Sequence, residues 1–215
     1  MVDLMVESGC EYINIAIEAG SERVTRDIVL KPLDYEHAKK MVAYAKKKGI
    51  FVGANFIIGF PTETWDEIRQ TIRVAETLDV DYAKIFIALP LRNTELFDLA
   101  KETDSLLMDP TDAKTMWTVG GVIKSEYWSA DDLTILRAYE WDRINFSDPN
   151  KLKKTAARMG ITIEELNVIR RRTIDFAKKT ILEREISGPD SSVKKAADIT
   201  LVSSENSSTS IQKKH

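Results

Sequence analysis

Residues 50–60, IFVGANFIIGF, form an almost unbroken apolar run that stops at Pro61. The run is too short to cross a bilayer and shows no helical period, so it reads as a strand covered on both faces. Strands of that kind lie in parallel sheets flanked by helices, and helix signals do flank this one. Asp34 precedes YEHAKKMVAYAKKK, in which Ala38, Met41, Val42 and Ala45 share one helical face. Gly49 then has the place of a left-handed residue ending that helix. On the other side, Thr64 to Glu67 form a capping box, followed by an apolar stripe of Ile68, Ile72, Ala75 and Leu78.

Two further strand signals complete the pattern, Tyr12 to Ser21 and Ala83 to Leu89, the second closed by Pro90. Strands alternating with helices over short connections predict right-handed βαβ units and three parallel strands in sequential order. The fold class is α/β, a partial parallel β/α barrel followed by a helical region. Three strands do not close a barrel. The short helix Val2 to Ser8 would ordinarily follow an earlier strand, so further sequence is expected before Met1.

After Pro90 the character changes. A helix is predicted over Asn93 to Lys101. Residues 104–128 contain Pro110, Gly120 and Gly121 and read as a loop region with short helical turns. Ser129 opens a helix running to about Phe146, and Pro149 breaks it. A helix pair follows, Asn150 to Met159 and Glu164 to Arg184, joined at Gly160 and capped by Thr162 with Glu165. From Ser187 the chain is rich in Ser, Asn and Lys, a composition that predicts disorder. The expected organisation is thus 1–103 barrel, 104–186 helical region and 187–215 disordered tail.

Cys10 is the single cysteine, which excludes an internal disulfide and a cluster site ligated by this chain alone. With 31 basic and 34 acidic residues the net charge is −3, and nothing in it favours a polyanionic partner. The opening segment has no basic region and is not a secretory signal, so a cytoplasmic location without a membrane partner is expected.

In a parallel β/α barrel, ligands bind at the C-terminal ends of the strands. The three ends here read Ile17-Glu18-Ala19-Gly20-Ser21 with Lys31 following, Asn55 to Thr64 containing Gly59-Phe60-Pro61-Thr62-Glu63-Thr64, and Leu89-Pro90-Leu91-Arg92-Asn93-Thr94. In this order and spacing, over about residues 1–100, they resemble the second half of the radical S-adenosylmethionine barrel, closest in look to the branch that often carries a cobalamin-binding domain. That resemblance implies reductive cleavage of S-adenosylmethionine, with radical-based modification or methyl transfer. It also implies a partial cofactor site. Glu18, Ser21 and Asn55 would hydrogen-bond the ammonium or ribose, and Gly20 would let the backbone approach. Lys31 would meet the methionyl carboxylate, and the Gly59-Phe60-Pro61 turn and the backbone at Ala88 and Leu89 would face the adenine.

The family's Cys-x-x-x-Cys-x-x-Cys loop, which holds its 4Fe-4S cluster, has no counterpart in this chain. Nor has its Gly-Gly-Glu segment, while Thr62 stands where Gly is usual and Ala19 where Ser is common. The chain is therefore expected to be inactive alone. Its partner would be the N-terminal half of the barrel, in cis or trans, with cobalamin an option for the full-length protein and an unidentified small-molecule substrate.

Two other classes fit parts of the sequence. Residues 155–172, TAARMGITIEELNVIRRR, have a helix-turn-helix look with a basic second helix, which would make a nucleic-acid-binding module. The alternative for that pair is packing on the barrel with Leu166, Ile169, Phe176 and Ala177 inward, and the acidic surroundings favour it. A different β/α barrel enzyme would need a Schiff-base lysine at a strand end or a Gly-rich phosphate loop. Lys84 lies inside a strand and no such loop follows it.

Overall fold

A computed structural model describes residues 1–108 and 121–187. The parts of 104–128 and of the tail that fall outside these ranges, Pro110 and Gly120 among them, lie outside the described residues. The element order is α1 (Val2–Glu7), β1 (Tyr12–Glu18), a π-helical segment (Val24–Ile28), α2 (Tyr35–Lys47), β2 (Phe51–Ile58), α3 (Trp65–Thr77), β3 (Tyr82–Ile87), α4 (Glu95–Glu102), α5 (Ala130–Phe146), α6 (Pro149–Met159) and α7 (Ile163–Ser187). The sheet is parallel throughout, in the order β1-β2-β3 that the alternating pattern predicts.

The helix boundaries follow the local chemistry. The Asp34 side chain accepts from the His37 N–H and starts α2, and the Thr64–Glu67 capping box starts α3. Ser129 and Asp132 form a second capping box at α5. Pro149, expected as a breaker, occupies the first turn of α6, where its missing N–H costs nothing. Gly160 ends α6 in the left-handed region at φ 68°. Val24–Ile28 was not foreseen as an element; its wide turn carries the chain from β1 to Lys31, whose N–H bonds the Thr25 carbonyl at 2.7 Å.

All of Phe51–Ala54 is buried, and burial alternates only over the second half of β2. Val52, Ala54, Phe56 and Ile58 are fully buried, and they join Val42 and Ala45 of α2 and Ile68, Ile72 and Ala75 of α3 in one core. Asn55 and Ile57, on the opposite face, are only half-buried. The expectation that this strand is covered on both faces therefore holds over its first half and fails at Asn55 and Ile57 among the described residues. Helices cover one face, and the other is partly open.

The two sheet edges are treated differently. On the β3 side, Asn145 of α5 accepts from the Ala83 N–H at 2.7 Å and donates to the Ala83 carbonyl at 2.8 Å. Arg137, two turns earlier on α5, donates through Nε to the Ile85 carbonyl at 3.2 Å. A helix thus takes the place of a further strand. On the β1 side no strand is paired among the described residues. There the Ala16 carbonyl accepts from Lys31 Nζ at 2.6 Å.

The last helix lies antiparallel along α5, held by Arg170–Asp142 at 2.7 Å and Arg184–Asp132 at 2.5 Å. Leu166 and Ala177 are buried in this contact and Phe176 is half-buried, whereas Ile169 is 44% exposed, against its expected inward place. Arg170, offered as part of a basic recognition helix, is committed to Asp142. α6 lies at the N-terminal end of the sheet, with Lys154 bound to Asp81 and its ammonium over the Phe51 ring. No helix among the described residues is long and apolar enough to cross a membrane.

The Asn145 side chain serves both polar groups of a buried edge residue, Ala83. Asn145→Ala is expected to destabilise the protein by about 2–4 kcal/mol in urea unfolding, the scale for stranding two buried backbone groups. A loss below about 1 kcal/mol would mean that water replaces the amide.

Candidate cofactor site at the strand ends

At the end of β1 the pairing register with β2 shifts between Ala16 and Glu18. Glu18 itself has φ 67°, a left-handed conformation that side chains rarely adopt. Its carboxylate stands 3.9 Å from Lys31 Nζ. The structure therefore brings these two predicted residues together as an open ion pair, with Lys31 also anchored on Ala16. Arg23, close in sequence to Glu18, bonds Glu67 instead.

Asn55 lies mid-strand on the open face of β2, with Ala16 and Lys84 as its cross-strand neighbours. Its Oδ1 is buried and meets no hydrogen-bond donor among the described residues. A buried acceptor left unpaired is costly, so this atom marks a place where a donor belongs.

Other predicted contacts are committed to the fold. The Ser21 hydroxyl is buried, donates to Glu67 at 3.0 Å and accepts from the Val24 N–H. At Gly20 a Cβ would fall 2.5 Å from the Gln70 carbonyl oxygen, and its N–H bonds Thr71 Oγ1 at 2.8 Å. The close approach that Gly20 permits is thus to α3, not to a ligand. The Gly59 and Phe60 N–H groups both donate to Glu63 Oε2, at 2.6 and 3.0 Å, and Phe60 and Pro61 are buried. The Ala88 N–H donates to the Ile58 carbonyl at 2.9 Å, and Leu89 is half-buried.

What the sequence did not reveal is the network beneath this rim. Arg23 forks onto Glu67 with two bonds of 2.7 Å and reaches the Thr62 carbonyl at 3.0 Å. Glu67 also accepts from Ser21 and from the Thr64 N–H and hydroxyl. The Arg23 guanidinium, and then these bonds, outweigh burial and hold the Glu67 carboxyl down at about 2. Glu63 has the opposite environment. Burial pushes its carboxyl up to about 8 despite the two backbone bonds, and nearby Glu67 adds to the rise. Glu63 Oε2 takes both N–H groups, and Oε1 has no partner among the described residues. The Thr64-x-x-Glu67 spacing showed Glu67 only as a helix cap, and nothing local marked Glu63 as the strut of the turn.

The three parallel strands with their intervening helices form a partial parallel β/α sheet, with Glu18 and Lys31 at the end of β1 and Asn55 mid-strand on β2. Residues 1–75 match the model of the Radical SAM superfamily. Over 132 residues the chain is 33% identical to an uncharacterized methyltransferase of Pyrococcus horikoshii, covering 61% of this chain and 28% of that protein. It is 34% identical over 102 residues to a cytidylyl-2-hydroxyethylphosphonate methyltransferase of Streptomyces wedmorensis, covering 45% of this chain and 19% of that one. Similarity extends, at 30% identity over 88 residues, to a tRNA-2-methylthio-N(6)-dimethylallyladenosine synthase of Moorella thermoacetica, with 40% and 20% covered. Over its strand–helix segment, residues 1–75, the chain is similar to the radical SAM superfamily. It spans between about a fifth and three tenths of the length of these relatives.

The family implies S-adenosylmethionine and a 4Fe-4S cluster, and this chain's residues fit them unequally. The cluster does not fit. Cys10 is the single thiol, it lies before β1 at the opposite end of the strand from Glu18, and its Sγ donates to the Tyr12 carbonyl. It is half-buried, less enclosed than a core residue. Among the described residues no group of three His, Cys, Asp or Glu is placed to hold a metal. For S-adenosylmethionine, the orphaned Asn55 Oδ1 and the open Glu18–Lys31 pair are groups with hydrogen-bonding capacity to spare.

Thr62 occupies the turn position where glycine is usual, and its φ is 66°. Thr62→Gly is expected to raise stability by about 0.5–1 kcal/mol, since relief of the left-handed strain exceeds the backbone entropy that glycine adds. Unchanged or lower stability in urea would contradict this. Because the folded Glu63 carboxyl is raised, its contribution is full below the ordinary carboxylate range and is lost as pH rises towards 8. Glu63→Gln keeps an acceptor and has nothing to ionise. Wild type should lose on the order of 2–4 kcal/mol between pH 5 and pH 8 relative to this variant. Parallel pH profiles would show Glu63 to be ionised throughout.

Proposed function

We propose that this chain supplies the later-strand wall of a radical SAM enzyme whose cluster-bearing strands come from another segment, in cis or in trans. The observation that carries the reading is the unequal sheet. The β3 edge is sealed by α5 side chains, while the β1 edge is bare among the described residues and faces the side where earlier strands would pair. The polar open face, with Asn55 Oδ1 awaiting a donor, is the second support.

In the assembled site Glu18 accepts hydrogen bonds from the ligand's ammonium or ribose hydroxyl groups. Lys31 leaves the Ala16 carbonyl once a strand takes that position, and is then free to meet a carboxylate. Asn55 pairs with a ribose hydroxyl. The neutral Glu63 and the Arg23–Glu67 pair hold the turn in place beneath them, and the backbone at Ala88 and Leu89 borders the adenine. When bound, S-adenosylmethionine would supply the transferable methyl group or the radical chemistry. The names of the relatives favour methyl transfer or methylthiolation as the reaction class. Cobalamin, if used, would be held by another segment, since no residue here is assigned to it. The substrate is a small molecule, and Arg170 being tied to Asp142 weighs against a duplex-binding role for α7.

The test joins this chain to a cluster-bearing half, by fusion to its upstream coding sequence or by co-expression, and measures S-adenosylmethionine binding by calorimetry. Glu18→Ala should weaken binding by about 1–3 kcal/mol, the scale of a charge-assisted hydrogen bond, without lowering the melting temperature. Unchanged affinity, or affinity that falls only in step with stability, would make Glu18 a structural rim residue.

A further inference from the structure

Trp128 lies just before α5, at the end of a segment that enters the core at Val122 and Ile123. Ile123 bridges Leu106 in antiparallel fashion, and the Ser125 N–H donates to the Trp128 carbonyl at 3.1 Å, so the segment is fixed along its length. The Trp128 side chain is buried, and its Nε1–H donates to the backbone carbonyl of Glu63 at 2.7 Å. That bond joins the entry of α5 to the turn after β2.

Glu63 is thereby held through all but one of its polar groups. Its N–H donates to the Phe60 carbonyl at 3.0 Å, Oε2 accepts from Gly59 and Phe60, and the carbonyl accepts from Trp128. The preceding carbonyl, that of Thr62, accepts from Arg23 at 3.0 Å. Two consecutive carbonyls of the turn are thus gripped by two distant parts of the chain, the exit of β1 and the entry of α5. Packing reinforces the grip. A Cβ on Gly59 would lie 3.6 Å from Trp128 Cη2 and would overlap Leu133 Cδ1 of α5, so the turn has no room to move that way. Glu63 is fully buried, and water does not readily replace the indole donor there.

We propose that Trp128 is a positioning residue for the cofactor site: it sets the place of the Gly59–Glu63 turn at the strand ends, so that the helical region fixes backbone of the barrel segment. The inference rests on the S-adenosylmethionine reading and adds a residue that acts through Glu63, without touching the ligand.

The test uses the protein joined to its cluster-bearing half, with S-adenosylmethionine as the calorimetric probe, and this chain alone for amide exchange. Trp128→Phe keeps an aromatic ring and removes the N–H. It should weaken binding about fivefold, the scale of one lost buried hydrogen bond. In the chain alone it should speed exchange at the Gly59 and Phe60 amides more than at Ala83, which marks local loosening of the turn. Replacing Trp128 with 3-benzothienylalanine, which has sulfur in place of the N–H, should act in the same way with the packing kept, and it serves if Trp128→Phe does not fold. Asn145→Ala is the control, since it lowers stability at the β3 edge and should leave affinity unchanged. Wild-type affinity in Trp128→Phe while Glu18→Ala binds weakly would overturn the proposal and spare the cofactor reading. Equal speeding at Ala83, or an affinity loss shared with Asn145→Ala in step with melting temperature, would make Trp128 a structural residue only. If the joined wild type does not bind S-adenosylmethionine, the cofactor reading fails and the proposal falls with it.

Discussion

A parallel sheet has two edges, and every backbone group on them needs a partner. In this chain that requirement organises the rest. On the β3 side α5 is placed so that Asn145 satisfies both groups of Ala83 and Arg137 serves Ile85. The position of α5 in turn fixes α7, through Arg170 and Arg184, and leads into α6 beneath the sheet. On the β1 side there is no equivalent helix among the described residues, and one lysine ammonium occupies a carbonyl there. A chain built this way is closed at one edge and receptive at the other.

The rim above the sheet is held by a pair of carboxyl groups in opposite states. Glu67, forked to Arg23, is strongly acidic and ties the exit of β1 to the turn after β2. Glu63, four residues earlier, is neutral in its buried place and gathers two backbone N–H groups of the same turn. Left-handed backbone occurs at Glu18, the last residue of β1, and at Thr62 and Asn93 beyond β2 and β3, as well as at Leu30, Asp79 and Asp104. Strain of that kind persists where surrounding contacts over-determine it, and it concentrates at ligand-binding ends of folds. The rim is therefore held in shape by buried electrostatics, beside the Glu18–Lys31 pair and the unpaired Asn55 Oδ1.

Much of this architecture was legible in the sequence, because strand and helix periods, capping boxes and glycine stops are local signals. The order of the three strands, the Thr64–Glu67 and Ser129–Asp132 starts and the Gly160 stop all follow from residues within a turn of one another. The site was legible in part. Glu18 and Lys31 come together as their positions at one strand end suggest. Ser21 and Gly20 bond Glu67 and Thr71, about fifty residues away on α3, partners that no local signal shows. The open face of β2 was hidden by its composition, since Phe56 and Ile58 beside Asn55 and Ile57 give an apolar run whichever face is covered. Asn145 and Arg137 carried no local sign of their role at the β3 edge, which depends on a helix formed some sixty residues later in the chain.

The central claim is that the β1 edge is a pairing edge for another parallel strand, whereas the β3 edge is finished. Amide hydrogen exchange measures this directly, residue by residue, in the chain alone and again when joined to a cluster-bearing half. The account predicts that the β3 amide at Ala83, bonded to Asn145, is protected in both states. It predicts that the β1 amides not bonded to β2 exchange quickly in the chain alone and become protected on joining. If the β1 amides are already protected in isolation, or stay unprotected when the other half is present, the edge is not a pairing surface and the partial-barrel account is wrong.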